Sequence, residues 1–143
     1  MKSYKYSRKV NYYETDKMAI VHHTNYIRYF EEARLDSMEQ AGLDYAEVES
    51  HGIIIPVVDV YAKYYKSLEY GDEFEVETSM VKFTGVKLEY EYKIYNKNTG
   101  ELSATGHSCH CFLANANGFP VNIKKHVPEL YERFKAILDT DKK

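Results

Sequence analysis

The sequence predicts an α+β fold in which an antiparallel sheet wraps around one long central helix. Two patterns carry this prediction: apolar residues recur at helical spacing over residues 24–41, and apolar and polar residues alternate in segments after residue 53. A helix of about five turns needs a sheet to bury its apolar face. Because 143 residues is close to the usual size of one domain, we expect a single domain over residues 1–143.

The helix is predicted over residues 24–41, because its apolar and small side chains recur every three to four residues and most of its charged side chains fall on the opposite face. We expect Thr24 or Asn25 to cap the first turn and Gly42 to end the helix in the left-handed conformation. Arg34 projects toward the apolar face. We therefore expect it to form an internal ion pair with Glu31, which lies one turn earlier.

The sheet is predicted from two alternating segments, residues 73–81 and residues 86–95, which flank a turn at Thr84 and Gly85. Strand segments with one polar face are typical of an antiparallel sheet that packs on a helix. The other predicted elements are a short strand near residues 3–12, a further strand over residues 102–113 and a terminal helix that begins at Pro128.

A single sheet around a single helix leaves a strand edge and an outer face incompletely covered. Strand edges and apolar faces that lack a cover pair readily with another chain. We therefore expect two chains to associate through their sheets, so that the protein is at least a dimer.

Composition excludes several classes of function. The 19 Lys and Arg residues against 22 Asp and Glu residues give a net charge of −3, which does not supply the basic field that nucleic-acid binding needs. No apolar segment approaches the roughly 20 residues of a membrane span, and we expect no secretory signal, because no apolar stretch follows the positive charges of the first nine residues. Cys109 and Cys111 lie too far apart along one strand for an unstrained disulfide. Free thiols suit a reducing compartment, so we expect a cytoplasmic protein.

The densest group of chemically useful side chains lies in residues 13–26, a loop that leads into the helix. Backbone N–H groups in the first turn of a helix, together with the helix dipole, can stabilise an oxyanion. Asp16, seven residues before His23, could attack a carbonyl carbon or activate a water. This combination predicts acyl transfer or hydrolysis, although Asp16 could also be an ordinary turn carboxylate.

Two other groups of residues contain side chains that can ligate metal, but their spacing does not suit a metal site. His22 and His23 are adjacent, so their side chains are expected to diverge, and the loop offers no third ligand. His107, Cys109 and Cys111 share one strand face, but residues two apart in a strand are separated by about 6.6 Å and cannot all reach one zinc ion. We interpret these three as core or interface residues and expect no metal or cofactor.

Residues 13–34, YETDKMAIVHHTNYIRYFEEAR, resemble the signature of the hotdog-fold acyl-CoA thioesterases of the 4-hydroxybenzoyl-CoA thioesterase type. The resemblance continues at residues 70–72, before a predicted strand, and at residues 118–120, after the last one. It therefore extends over nearly the whole chain. Two positions depart from the family pattern: Ala19 stands where the family usually has Gly, and Ser67 where it usually has Pro.

The resemblance implies a hotdog fold, a homodimer or a homotetramer formed as a dimer of dimers, and active sites at the dimer interface. It assigns Asp16 as the catalytic carboxylate and His23 as the residue whose backbone N–H binds the oxyanion. Other substrate-binding positions in our prediction are Tyr13, Thr24, Asn25, Tyr26, Lys63 and Lys82.

The predicted reaction is hydrolysis of an acyl-CoA thioester to a carboxylic acid and free CoA. The thiolate leaves without much protonation, so a carboxylate and an oxyanion site can suffice. Hydrolysis of acyl-carrier-protein thioesters and non-catalytic acyl binding remain alternatives. The acyl chain is not specified, because pocket depth depends on how Ile27, Phe30 and a second subunit pack. CoA phosphates could contact lysines from the set Lys63, Lys66, Lys82, Lys87, Lys124 and Lys125.

Overall fold

We describe residues 3–115 and 117–141 in a computed structural model of the chain. The strands, in chain order, are β1 (Tyr4–Lys9), β2 (Ile53–Ile54), β3 (Val57–Tyr64), β4 (Glu73–Phe83), β5 (Lys87–Asn96), β6 (Leu102–Cys111) and β7 (Leu113–Ala114). The helices are α1 (Thr24–Gln40), α2 (Tyr45–Ser50), α3 (Ile123–His126) and α4 (Pro128–Asp141). In the part of the chain that the structure describes, no helix combines the length and apolar character needed to cross a membrane.

Five strands form one antiparallel sheet in the order β1-β4-β5-β6-β3, and β2 pairs separately with β7. The predicted α+β class is confirmed, as is the hairpin of β4 and β5. In its turn, Gly85 has a φ of +90° and Thr84 Oγ1 accepts the N–H of Lys87 at 3.0 Å. The short elements α2, α3, β2 and β7 were not predicted, because segments of two to six residues carry too little periodicity to be recognised.

Helix α1 packs on the inner face of the sheet. The ring of Phe30 stacks on the ring of Tyr92, with the ring centroids 4.5 Å apart. A side chain at Gly106 on β6 would meet the same ring, because an added Cβ would lie 2.3 Å from a Phe30 ring carbon. Helix and sheet can therefore approach closely only where β6 has no side chain.

The end of α1 is as predicted, but its start is not. Gly42 has a φ of +85°, and the N–H of Leu43 donates to the carbonyl of Met38 at 2.9 Å, which closes the helix. Neither Thr24 nor Asn25 caps the first turn, since both lie inside the helix and His23 occupies the cap position without a side-chain bond. Their side chains contact the preceding loop instead.

The predicted ion pair between Glu31 and Arg34 is wrong. Arg34 Nη1 donates to the hydroxyl of Tyr92 at 3.2 Å, and no carboxylate of the described residues lies within ion-pair distance of Arg34. Glu31 is exposed, whereas the Arg34 guanidinium reaches Tyr92 on β5 of the sheet. The Tyr92 hydroxyl in turn bonds Ser108 Oγ at 2.6 Å, which makes a polar path into the core.

The alternation of β6 places His107, Cys109 and Cys111 on the face of the sheet opposite the core. His107, Cys109 and Cys111 are half-buried on the outer face, while Ser108 and His110 on the inner face are buried. The cysteines are free thiols, as predicted. A core position for His107 and the two cysteines is therefore wrong, because the alternation of the strand turns them away from α1. Their role at an interface stays a prediction.

Candidate active site

A tight loop carries Asp16 to the start of α1. A 3-10 turn over Tyr12–Glu14 leads into it, and a bridge between Thr15 and Val21 closes it. Within the loop the N–H of Asp16 donates to the carbonyl of Ile20 at 3.0 Å. The chain must turn sharply between Asp16 and Ile20 to make this bond. Ala19 provides the turn by adopting the left-handed conformation, with a φ of +66°. The loop returns the chain to the amino end of α1.

Asp16 faces a cavity at the amino end of α1. Its Oδ1 accepts the N–H of Met18 at 2.8 Å, which fixes the carboxylate in the loop, and the side chain is half-buried. The cavity has a volume of about 300 Å³. Among the predicted site residues, Asp16, His23 and Tyr26 line it together. The other lining residues are Met18, Ile20, Val21, Tyr64, Tyr65, Lys66 and Ser67.

Among the described residues, none provides a hydrogen-bond acceptor for the backbone N–H of His23. The neighbouring N–H groups are bonded: Asn25 donates to the carbonyl of His22 at 2.9 Å, and Thr24 donates to the His22 ring Nδ1 at 3.3 Å. The first turn of α1 contains no acidic residue that would offset the helix dipole. A free amide at the positive end of a helix is suited to bind a developing oxyanion.

The adjacent histidines stack, which contradicts the prediction that their side chains diverge. The ring centroids of His22 and His23 are 4.3 Å apart, with an angle of 29° between the rings. His22 Nδ1 also lies 2.8 Å from Thr24 Oγ1. Stacked rings do not converge on one ion, and within residues 3–115 and 117–141 no three ligating side chains are grouped as a metal site needs.

Tyrosines form one wall of the cavity. Tyr64, at the end of β3, donates its hydroxyl to the carbonyl of His23 at 3.2 Å. Its ring packs edge-on against Tyr26, with ring centroids 5.1 Å apart. Burial raises the pKa of the Tyr26 hydroxyl, so that hydroxyl stays protonated at neutral pH. Sequence analysis missed Tyr64 and Tyr65, although the three tyrosines within residues 61–65 were a signal.

The structure does not bring every predicted residue to this cavity. Tyr13 is exposed and its hydroxyl accepts from Asn11 Nδ2 at 3.0 Å. Asn25 Nδ2 donates to the carbonyl of Glu14 at 2.9 Å, so its side chain links the helix to the loop. Neither side chain lines the cavity.

The predicted lysines are likewise elsewhere. Lys63 lies over the ring of Tyr65, 5.5 Å from its centroid, and Lys82 pairs with Glu89 at 3.6 Å. Of the lysines that could contact phosphate, Lys66 is the one in the cavity lining. It is exposed and lies 3.9 Å from Glu101.

A second cavity of about 290 Å³ lies beside the first turn of α1. Its lining combines apolar and charged side chains: Thr24, Ile27, Arg28, Phe30, Glu31 and Arg34 of the helix, Val57 and Val60 of β3, and Ser108 of β6. The two cavities meet the helix at consecutive residues, His23 and Thr24. Because β3 is one of the two edge strands of the sheet, this second cavity lies at a sheet edge.

The fold matches one class of protein, the thioester hydrolases with a hotdog fold. Residues 10–134 match the thioesterase-like superfamily, and the chain belongs to that superfamily. The similarity includes the Bacillus subtilis (strain 168) protein named "Putative acyl-CoA thioesterase YneP", which is 35% identical over 88% of this chain and 91% of that protein. The resemblance seen in the sequence is thus confirmed.

Relatives with a named substrate extend the comparison. A 1,4-dihydroxy-2-naphthoyl-CoA hydrolase of Thermosynechococcus vestitus is 27% identical, over 73% of this chain and 73% of that protein. The crystal structure of a DHNA-CoA thioesterase from Staphylococcus aureus has a TM-score of 0.90 and 32% identity, over 99% of this chain and 95% of that one. The hotdog fold and the class of thioester hydrolase are confirmed.

Proposed function

We propose that this protein hydrolyses acyl-CoA thioesters to a carboxylic acid and free CoA, with Asp16 and the His23 amide as its chemical groups. One observation carries the proposal. The Asp16 carboxylate and the residue that bears the free N–H line the same cavity. A carbonyl bound between them would meet a base or nucleophile on one side and an oxyanion donor on the other.

The proposed chemistry needs no further group. Asp16 either takes a proton from water as that water attacks the thioester carbon, or attacks the carbon itself and is then released by water. In both routes the carbonyl oxygen becomes negative and accepts the N–H of His23, and the carbon–sulfur bond breaks as the oxyanion collapses. The CoA thiolate then takes up a proton, so the products are a carboxylic acid and a thiol.

The second cavity is the proposed acyl site. It begins at Thr24, the residue after His23, and Ile27 and Phe30 supply apolar walls. The edge strand contributes Val57 and Val60 to it. A second copy of the chain at this edge would cover the cavity, and for this reason we propose that the active protein is a homodimer or a tetramer built from such dimers.

Asp16 and His23 can be tested by substitutions that change little else. Asp16→Asn removes the charge, and we expect it to abolish most thiol release from a panel of acyl-CoA substrates. His23→Pro removes the N–H at a residue whose φ of −55° suits proline. Loss of one oxyanion donor lowers kcat by about 10² to 10³-fold.

His23→Ala is the matched control, because it retains the N–H while it removes the imidazole. We expect it to lose less activity than His23→Pro, and circular dichroism should give the same folded spectrum for all three variants. Undiminished hydrolysis in Asp16→Asn would overturn the proposed role of Asp16. Equal losses in His23→Pro and His23→Ala would instead assign the role to the ring.

Lys66 is the proposed contact for the CoA phosphates, since it is the phosphate-binding candidate that lines the cavity. We expect Lys66→Ala to reduce kcat/KM for acyl-CoA while leaving acyl-pantetheine unaffected, and Lys63→Ala to change neither. Wild-type preference for an acyl-carrier protein over acyl-CoA would favour the carrier-protein alternative. The net charge of −3 makes attraction to an acidic carrier weak.

A further inference from the structure

We propose that Glu14 and Arg8 are positioning residues that aim the Asp16 carboxylate at the His23 amide. This inference rests on the proposed function and adds to it the residues that hold the two reacting groups in place. Neither Glu14 nor Arg8 lines the cavity. They lie beneath the loop, where β1, the 3-10 turn and α1 meet.

Glu14 is a buried carboxylate, and its side chain is fully engaged. Only 1% of its surface is exposed. Oε1 accepts from Arg8 Nη1 at 3.0 Å and from the N–H of Asn11 at 2.8 Å, and Oε2 accepts from Arg8 Nη2 at 2.6 Å. A buried charge is tolerated only with such partners. The two-point contact fixes the direction of the side chain as well as its position.

Arg8 is itself held at several points. Nε donates to Glu32 Oε1 on α1 at 2.7 Å, and Nη1 donates to the carbonyl of Lys9 at 2.8 Å. The guanidinium carbon also lies 4.8 Å from the centroid of the Tyr29 ring. The guanidinium therefore joins the strand to the helix, and Glu14 is positioned relative to both.

The backbone of Glu14 transfers this position to the site. Its carbonyl oxygen accepts the N–H of His22 at 2.9 Å and Nδ2 of Asn25 at 2.9 Å. His22 directly precedes the free amide of His23, and Asp16 follows Glu14 by two residues. A shift of Glu14 would thus change the separation of the carboxylate and the amide. Misplacement of a reacting group by about 1 Å can cost about 10²-fold in rate.

The charge of Glu14 is part of the arrangement. Burial alone would raise the pKa of this carboxyl, but the hydrogen bonds from Arg8 and Asn11 hold it below its ordinary value. The carboxylate is therefore ionised at neutral pH. Glu14→Gln has nearly the same shape, yet its amide NH2 cannot accept from Arg8. The substitution loosens the contact with little change in packing.

A purely stabilising role is the competing explanation, and a second Arg–Glu pair provides the control. Arg133 pairs with Glu47 and donates Nη2 to the carbonyl of Gly42 at 2.5 Å. It joins α4 to α2, although Glu47 is half-buried and meets Arg133 through one oxygen, whereas Glu14 is buried and meets Arg8 through both oxygens. None of its three residues lines the cavity or contacts the loop of residues 12–22.

The test compares Glu14→Gln with Glu47→Gln by steady-state kinetics on one acyl-CoA at 25 °C and by hydrogen exchange. We expect Glu14→Gln to lower kcat about tenfold or more with KM within about twofold, and to speed exchange of the His22 amide. Glu47→Gln should keep the wild-type kcat, whatever stability it loses. Wild-type kcat in Glu14→Gln, or kcat losses in both variants that follow their loss of stability, would overturn the proposal.

Arg8→Lys is the second variant, for use if Glu14→Gln does not fold. It keeps the positive charge but loses the two-point contact, so we expect a smaller fall in kcat and faster exchange at His22. Unchanged exchange and kcat would overturn the proposal. Failure of the proposed function is a separate result: it would appear as a wild-type protein without thioesterase activity or an Asp16→Asn variant with full activity, and the exchange measurements would still test positioning.

Discussion

Ala19 shapes the loop that carries Asp16. It has a φ of +66° and is the one residue other than glycine with positive φ among the described residues. An L-residue in this region clashes with its own carbonyl, at a cost of about 1 to 2 kcal/mol. The family usually has glycine at this position. The loop therefore keeps its tight turn despite an unfavourable residue.

Ala19→Gly should relieve this clash. Part of the gain is offset by the greater freedom of glycine in the unfolded chain, so we expect the free energy of unfolding to rise by about 0.5 kcal/mol. Urea denaturation measures it. Ala136→Gly, at an exposed position within α4, is the control. We expect it to lower the free energy of unfolding by about 1 kcal/mol. A loss of stability in Ala19→Gly would contradict the prediction.

His110 is a buried titratable residue on the inner face of β6, with no exposed surface. Its Nε2 lies 2.8 Å from Ser108 Oγ. Burial, together with the positive charge of Arg34, lowers its pKa to about 4. The folded state therefore takes up a proton at this site less readily than the unfolded state does.

The free energy of unfolding should decrease as the pH is lowered, because His110 resists protonation in the folded state. A histidine with a depressed pKa leaves stability unchanged above its unfolded pKa of about 6.5 and costs stability as pH falls from there toward 4. Over that interval we expect a loss of about 3 kcal/mol. His110→Gln should show a shallower dependence of the free energy of unfolding on pH, measured by urea denaturation from pH 7 to pH 4. Parallel curves would count against this assignment.

At the scale of elements, α1 can pack closely on the sheet because Gly106 has no side chain. Phe30 fills the space in which a Cβ would lie, and the backbone carbonyl of Tyr61 would be 3.0 Å from that Cβ. The neighbouring strand β3 therefore cannot move aside without loss of its pairing with β6. The helix that carries the site is positioned by this contact.

Gly106→Ala should force the helix and sheet apart. Overpacking of this kind costs about 1 to 3 kcal/mol, and a shift of α1 would also lower kcat. Thr105→Ala, on the outer face of the same strand, is the control and should stay within about 0.5 kcal/mol of wild type. Thermal unfolding and thiol release measure the two effects. Wild-type stability in Gly106→Ala would show that Phe30 can move freely.

At the scale of the whole molecule, β3 is a strand that lacks a cover. It lies at the edge of the five-stranded sheet, and 59% of Val58 and 58% of Tyr61 are exposed. Long apolar edge strands are usually paired or blocked in native proteins. The edge strand contributes Val57 and Val60 to the proposed acyl cavity, so one partner subunit would cover both the edge and that cavity.

Val58→Asp should weaken the proposed dimer, because it places a charge at the centre of an apolar interface. We expect light scattering to shift toward the mass of one 16.8 kDa chain, with a parallel loss of activity. Val86→Asp, which changes an exposed valine in the turn between β4 and β5, should leave the mass unchanged. A fully active monomer would contradict the dimer.

Regular elements could be predicted because their causes are local. Helix α1 and the hairpin of β4 and β5 follow from the spacing of apolar residues, and the turn at Gly85 follows from its lack of a side chain. The positions of Asp16 and His23 relative to the helix could be predicted for the same reason, since both lie within one short loop. The capping of α1 could not, because the cap position falls on His23, one residue before the predicted caps, and Asn25 lies inside the helix with its Nδ2 donating to the carbonyl of Glu14.

The sequence by itself determined the fold class, the long helix and the segment that carries the candidate chemistry, since each depends on neighbours in the chain. Only the tertiary structure decided which distant groups join that segment. Tyr64 bonds a residue 41 positions away, and Arg8 on β1 clamps Glu14. Such contacts arise from the packing of a strand against a loop or helix, and no local pattern encodes which residues will meet.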